Sequence, residues 1–394
     1  MFSLIGLVFQ YFLLFNLTLQ VGYLLFFSLA GKFGRVKSYP QAQTFRRIRI
    51  FVPAFKEDSV IIETAKNALS QNYPGDLFEV MIIADSLKEC TLTTLKSLPL
   101  KVIEVNFEKS TKGKALQKAM EVTASDPIEI VLIIDADNHM APDFLQAVNN
   151  AFSDGCRIVQ AHRTAKNPET AFAFLDACTE QINNHIFRRG HVAVGLPSAL
   201  IGSGMAFERA LFSILISDIG ETSGEDKELE FKIALKKVGI AFLDGVYIYD
   251  EKVAKAAVFS KQRSRWLASQ LEFFKKYFIE GFYQLFKGNI AFFNKFFQTY
   301  LLPRVMLVAI LLLWLIFVIF YLKYFLFYTV ILIVGLMVAL LLGIPNKWFN
   351  RNLLMAILQI PIAFFAILKA VFQIDKAKKI FIHTPHGEKE TKII

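Results

Sequence analysis

Cysteine is scarce in this chain. Cys90, Cys156 and Cys178 are the only three in 394 residues, and no CxxC pair occurs. An odd number of widely spaced thiols excludes a disulfide framework and points to a reducing compartment. No GxGxxG opens a helix, which argues against a dinucleotide-binding fold. No GxxxxGKS/T motif occurs, which argues against a P-loop ATPase. Charge is absent from Met1 to Leu29, and Lys32 and Arg35 follow. That run is longer than the apolar part of a signal peptide and has no small-residue cleavage site. At about 1.5 Å rise per residue it is long enough to cross a bilayer.

Two further stretches lack charge. Val305–Leu322 and Tyr324–Ile344 are interrupted only by Lys323. A single helix over both would be about 60 Å long, twice the roughly 30 Å thickness of the hydrocarbon, so two spans with a tight turn are expected. Leu353–Phe372 is a fourth candidate, interrupted by Gln359, Pro361 and Lys369.

What the chain does have fits a membrane setting. Hydrophobic residues make up 54% of it, 40 of them Phe, which is too apolar for ordinary soluble surfaces. The net charge is +10. Many of the basic residues flank the apolar runs: Lys32, Arg35, Lys37, Arg46, Arg47 and Arg49, then Lys347, Arg351, Lys376, Lys378 and Lys379. Anionic lipid headgroups are therefore the expected partner, and nucleic acid is not. With the central segment cytoplasmic, three later crossings would place the tail outside, whereas its lysines favour the inside.

The middle of the chain has another texture. Short apolar runs alternate with amphipathic ones: a strand at Ile48–Val52, a helix at Ser59–Ser70, strands at Glu79–Ala84 and Lys101–Val105, a helix at Lys114–Ala124 and a strand at Glu129–Ile134. Such alternation predicts a mostly parallel α/β sheet, whose ligands bind at the carboxyl ends of strands. Three of those ends carry suggestive groups: Pro53-Ala54-Phe55-Lys56-Glu57, Asp85, and Asp135-Ala136-Asp137.

Acids at i and i+2 of an extended strand share a side, and they repel unless a cation joins them. Mg²⁺ takes one or two carboxylates plus phosphate oxygens, so the pair reads as a place where a metal holds a diphosphate. A charged strand-to-loop turn is the plainer reading. Gly202-Ser203-Gly204 is either an ordinary turn or a loop that lets backbone approach a ligand. Glu225 and Asp226 precede a helix expected at Lys227–Lys237. They serve as helix-capping acids, or one serves as a general base. Gln262, Arg265 and Trp266 share a helical face. Their helix either lies amphipathically at the membrane or offers Arg265 to a diphosphate and Trp266 to a sugar.

The order of these motifs resembles that of the membrane-embedded, inverting, processive β-glycosyltransferases, which include the cellulose, hyaluronan and chitin-oligosaccharide synthases. The resemblance runs from about Phe51 to Trp266, plus the flanking spans. It implies an α/β GT-A catalytic domain with α-helical transmembrane segments and a nucleotide-diphosphate sugar donor, expected to be a UDP-sugar. Carried over residue by residue, it implies donor contacts at Pro53, Ala54, Glu57, Asp85, Lys112 and Asp135, and a Mg²⁺ or Mn²⁺ ion on Asp137. It implies acceptor contacts at Gly202, Ser203, Gly204, Glu225, Gln262 and Trp266. Asp226 would be the base, and Arg265 would assist the departing diphosphate. Lys114 departs from the family pattern, which often has a small residue there.

The domains expected are an N-terminal transmembrane helix at 1–30, a cytoplasmic catalytic domain at 46–255, the QxxRW and interfacial helices at 256–298, about three transmembrane helices at 299–374 and a basic tail at 375–394. The expected setting is a bacterial plasma membrane. The expected product is a β-linked poly- or oligosaccharide, passed on by an export partner the sequence does not identify. The alternative is a single sugar placed on a membrane lipid such as ceramide or diacylglycerol. A non-catalytic scaffold is a third class, and the intact acids Asp85, Asp135, Asp137 and Asp226 argue against it.

Overall fold

The computed structural model describes residues 4–220, 222, 224–252 and 256–372. The basic tail at 375–394 lies outside the described residues, as do 253–255. Eight strands form one sheet: β1 (Ile48–Phe55), β2 (Phe78–Asp85), β3 (Lys101–Val105), β4 (Ile130–Ile133), β5 (His139–Met140), β6 (Ile158–Ala165), β7 (Met205–Glu208) and β8 (Ala241–Asp250). Their order is β3-β2-β1-β4-β7-β6-β8-β5. The first four are parallel, and β7 runs antiparallel to both its neighbours.

Both faces of the central strands are covered, which is why they read as unbroken apolar runs. On β1, Ile48, Ile50 and Val52 enter one core while Phe51 enters the other. On β4, Ile130 and Leu132 face the first core, and Val131 and Ile133 the second. Arg49, the second residue of β1, is buried between Glu79 and Asp126 at 2.5 and 2.6 Å. It is therefore closed to lipid headgroups, contrary to its expected role among the flanking cations. Strand β1 extends to Phe55, beyond the expected Val52, because its last residues pair with Ile83–Asp85. The helix Lys112–Val122 begins ahead of the expected Lys114, since the Thr111 hydroxyl accepts the Lys114 N–H at 3.2 Å and caps it.

Among the described residues, three helices are long and apolar enough to cross a membrane: Leu4–Phe33, Arg304–Tyr321 and Lys323–Leu342. Arg351–Ile357 and Ile360–Phe372 form a pair bent by 42° that could serve as one broken span. Pro361 sits in the first turn of the second piece, where its missing N–H costs nothing. The short helix Phe278–Phe286 exposes Ile279, Phe282, Tyr283 and Phe286. These fall at i, i+3, i+4 and i+7, one apolar face suited to a bilayer surface.

The N-terminal helix docks on the catalytic segment through glycine. Its partner is the π-helical stretch Asn184–Gly190. A Cβ at Gly190 would lie 2.2 Å from the Phe27 carbonyl oxygen, and one at Gly31 would lie 2.7 Å from the His185 carbonyl oxygen. Both obstacles are backbone, so neither can swing aside. Gly190→Ala is expected to destabilise the protein by about 1–3 kcal/mol through overpacking, read as a fall in melting temperature. Gly22→Ala, in the same N-terminal helix but with nothing within 4 Å of its Cβ position, is the control and should not lower it.

Candidate active site

The carboxyl ends of β1, β2 and β4 open onto a cavity of about 440 Å³. Pro53, Ala54 and Glu57 line it from β1 and the turn after it, and Asp85 from the end of β2. The two strand exits are tied together: the Lys56 N–H donates to the Asp85 carbonyl at 3.1 Å. Lys56 and Ser86 both adopt left-handed backbone, with φ of 57° and 56°. That conformation is uncommon outside glycine and marks two sharp turns beside the cavity.

Asp135 and Asp137 also line the cavity, but not as successive outward residues of a strand. β4 ends at Ile133, and the acids lie in a turn closed by the Asn138 N–H donating to the Asp135 carbonyl at 3.1 Å. The expectation of a shared strand side is corrected accordingly, since the turn brings them to the same cavity by a different geometry. A cation meets one of the two acids, Asp135, and it is an ammonium. Lys112 Nζ binds the Asp135 carboxylate, donates to the Gly202 carbonyl at 2.6 Å and stands 3.8 Å from Glu225. Burial works against the charge on Lys112, but Asp135 and Glu225 outweigh it and hold the pKa above its ordinary value.

Asp137 is held separately. Its carboxylate accepts from the Asn138 amide at 2.9 Å, and the same amide reaches Asp250 at 3.1 Å. Among the described residues, no group of three His, Cys, Asp or Glu could hold a metal without help. A single well-placed carboxylate still fits a hard divalent ion whose other ligands are diphosphate oxygens and water.

The glycine-serine-glycine loop has a divided role. Gly202 lines the cavity with φ of 82°. Ser203 is fully buried, and its hydroxyl accepts the Asp135 N–H at 3.0 Å. At Gly204, with φ of 64°, a Cβ would lie 2.9 Å from the Ile248 side chain. Ser203 thus lies beneath Asp135, and neither Ser203 nor Gly204 is among the residues that line the cavity. Sequence reading missed the buried Gln160, whose amide donates to the Ser203 carbonyl at 2.9 Å and whose carbonyl accepts the Ile201 N–H at 3.0 Å.

Glu225 and Asp226 lie within the first turn of the helix Glu225–Leu235 and face the same cavity. Gln262, Arg265 and Trp266 reach it from the helix Ala256–Lys276. The Gln262 side-chain oxygen is buried without a hydrogen-bond partner among the described residues. Burial lowers the Arg265 pKa, partly offset by Glu225. Trp266 is 37% exposed, and the Arg263 guanidinium lies 4.1 Å from its ring centre. One face of the expected acceptor floor is thus already covered by Arg263, which itself pairs with Asp176.

A buried ionic cluster in the cavity wall was also missed. Glu180 stands 2.8 Å from Arg163, 3.3 Å from Arg188 and 3.6 Å from Lys252. Burial raises the cost of its charge, but the three cations together hold its pKa below the ordinary carboxylate value. Asp250 joins them, 2.7 Å from Lys252. It lies at the end of β8, so the rule that strand-end acids face ligands would have found it once β8 was recognised.

A second cavity, about 340 Å³, shares Asp176, Thr179, Arg188, Lys227 and Trp266 with the first. It extends to Leu24, Val305, Ala363 and Ile367 on the apolar helices.

Burial, with Asp226 beside it, pushes the Glu225 pKa from 4.5 up to about 7 against the pull of Lys112. A pKa raised on folding contributes stability that is fully present below the unfolded value and is lost as pH rises through the folded one. Glu225→Gln stays neutral at every pH. Its stability relative to the native protein should therefore climb between about pH 4.5 and 7 and level off on either side. A flat difference in melting temperature over that window would contradict the assignment.

The family model described as glycosyltransferase-like family 2 matches residues 46–269. Curated beta-monoglucosyldiacylglycerol synthases from Nostoc sp. and Synechocystis sp. are 29% identical over 227 residues and 25% over 232. Those matches cover 56% and 58% of this chain and 48% and 47% of theirs, so the chain spans about half the length of the curated relatives it matches. A solved mannosyltransferase from Pyrobaculum calidifontis, in complex with GDP-Man and Mn²⁺, superposes with a TM-score of 0.58 at 16% identity. The superposition covers 93% of this chain and 99% of that one, and the shared fold is the GT-A type, a curled mixed sheet with helices on both faces. A GT-A sheet, with the family match running through the helix that carries Trp266, places the chain in one family: it belongs to glycosyltransferase-like family 2.

Proposed function

We propose that this glycosyltransferase moves one sugar from a nucleotide-diphosphate donor, a UDP-sugar by the sequence resemblance, onto a lipid held in the membrane, inverting the anomeric centre. The observation that carries this reading is the second cavity, which shares wall residues with the strand-end site and is also lined by Leu24, Val305, Ala363 and Ile367 on the apolar helices. A lipid can enter by that route with its tail still among apolar side chains. The activity that the relatives are named for, one glucose on diacylglycerol, agrees with it. The reading replaces the expected polymer. With Arg263 over Trp266, only one ring face remains for a sugar, and a single transfer needs no device for retaining a growing chain.

In this reading Pro53, Ala54, Glu57 and Asp85 hold the nucleoside side of the donor. Asp135 is oriented by Ser203 and Lys112 towards the ribose or the donor sugar. The Asp226 carboxylate takes the proton from the acceptor hydroxyl. That oxygen forms a bond to the anomeric carbon from the side opposite the diphosphate, and the carbon–oxygen bond to the diphosphate breaks with its electron pair. Lys112 and Arg265 offset the departing charge. Bound Mg²⁺ or Mn²⁺, held by Asp137, would add Lewis-acid neutralisation of the diphosphate. Gly202, Glu225, Gln262 and Trp266 surround the acceptor headgroup. The free cysteines Cys90, Cys156 and Cys178 support a cytoplasmic catalytic face.

Purified protein in lipid, given one labelled nucleotide sugar at a time, is expected to yield a lipid carrying a single sugar even at long times. Size analysis showing chains that lengthen with time would restore the polymer reading. Asp226→Asn keeps the shape and removes the base, so transfer should fall at least roughly 100-fold while donor binding persists. Excess chelator should stop transfer, and full turnover in its presence would remove Asp137 from the metal role.

A further inference from the structure

The second cavity is unusually basic for one that leads to hydrocarbon. Arg188, Lys227, Arg263, Lys295 and Arg304 line it, against a single acid, Asp176. Three of the five cations are neutralised. Arg263 pairs with Asp176, Arg188 stands 3.3 Å from Glu180, and Lys295 pairs with Glu230. Lys227 and Arg304 have no carboxylate partner among the described residues. Arg304 donates through Nη2 to the Thr179 carbonyl at 3.2 Å, while its Nη1 is buried and makes no hydrogen bond. Both residues are half-buried, and a cation partly withdrawn from water with no carboxylate in direct contact gains from an anionic ligand.

The division of groups between the two cavities is informative. Asp226 lines only the first cavity. Lys227, its neighbour in the chain, lines both, as do Arg188, Arg263 and Asp176. Arg304 and Lys295 line only the second, as do Leu24, Val305, Ala363 and Ile367. The carboxylate thus belongs to the first cavity, the hydrocarbon to the second, and Lys227 to the wall they share.

We propose that the acceptor is a phospholipid whose phosphate sits between Lys227 and Arg304, with its accepting hydroxyl on the headgroup beyond that phosphate, towards Asp226. A neutral diacylglycerol has the hydroxyl and the tails but nothing to answer the two cations. The inference rests on the lipid-acceptor reading and narrows it. Charge-assisted bonds from an arginine to phosphate are among the stronger polar contacts, so the preference should be easy to measure.

The test uses the full-length protein in neutral detergent, titrated calorimetrically with short-chain phosphatidylglycerol and with the chain-matched diacylglycerol. Phosphatidylglycerol is expected to bind at least roughly tenfold more tightly. Arg304→Gln and Lys227→Gln should each largely erase that preference, and Lys227→Arg should retain it. Equal binding of the two lipids by the native protein would overturn the proposal. So would a preference that survives in both neutral variants once melting curves show them folded. If Arg304→Gln does not fold, the Lys227 pair carries the comparison. Inorganic phosphate at matched concentration should leave the phosphatidylglycerol isotherm unchanged, and full competition by it would remove the lipid as the source of the anion. A parallel transfer assay separates the two levels. Preferential binding of phosphatidylglycerol with no sugar transferred to any lipid sinks the glycolipid reading and leaves the anion site standing. Transfer to diacylglycerol without that binding preference does the reverse.

Discussion

One buried ammonium ties the active site together. Lys112 reaches from the start of its helix to the Asp135 carboxylate, the Gly202 carbonyl and the neighbourhood of Glu225. Those three groups come from the turn after β4, the loop before β7 and the first turn of the helix Glu225–Leu235. Each would be poorly placed alone. Two carboxylates and a bare carbonyl facing one cavity repel each other, and removing the cation would leave buried negative charge uncompensated. Under the proposed function the same ammonium is available to the diphosphate leaving group, so one residue both assembles the site and offsets the departing charge.

A second cluster, around Glu180, holds the opposite wall. Arg163, Arg188 and Lys252 share that one acid, and Arg163 and Lys252 also reach Asp250. Asp250 passes the constraint to Asp137 through the Asn138 amide. Arg188 belongs to the π-helical stretch against which the N-terminal span docks at Gly190 and Gly31. The chemistry at the strand ends and the attachment to the apolar helices therefore share a framework. That suits an enzyme whose acceptor arrives from the side of those helices.

Much of this was legible in the sequence because it is local. The apolar runs that became β1, β2 and β4 are buried on both faces, and their ends carry Glu57, Asp85, Asp135 and Asp137. Gln262, Arg265 and Trp266 are one turn of one helix. What stayed hidden depends on chain segments far apart. Arg163, Glu180, Arg188, Asp250 and Lys252 have no common spacing, and only the pairing of β6 with β8 brings the strands that carry Arg163 and Asp250 together. The family resemblance implies an acceptor contact at Ser203, and no local pattern announces that its buried hydroxyl accepts from the Asp135 backbone. The second cavity is made by seven separate stretches, from Leu24 to Ile367. No motif records it, and it moves the reading from a polymer to a glycolipid.

The central claim is that the strand-end site and the apolar helices serve one acceptor. It is tested most directly by a structure of the protein with a nucleoside diphosphate and a short-chain lipid bound together. The account predicts the lipid hydroxyl beside the Asp226 carboxylate and its hydrocarbon among Leu24, Val305 and Ile367. A lipid bound elsewhere, with a saccharide chain threading the second cavity, would contradict it.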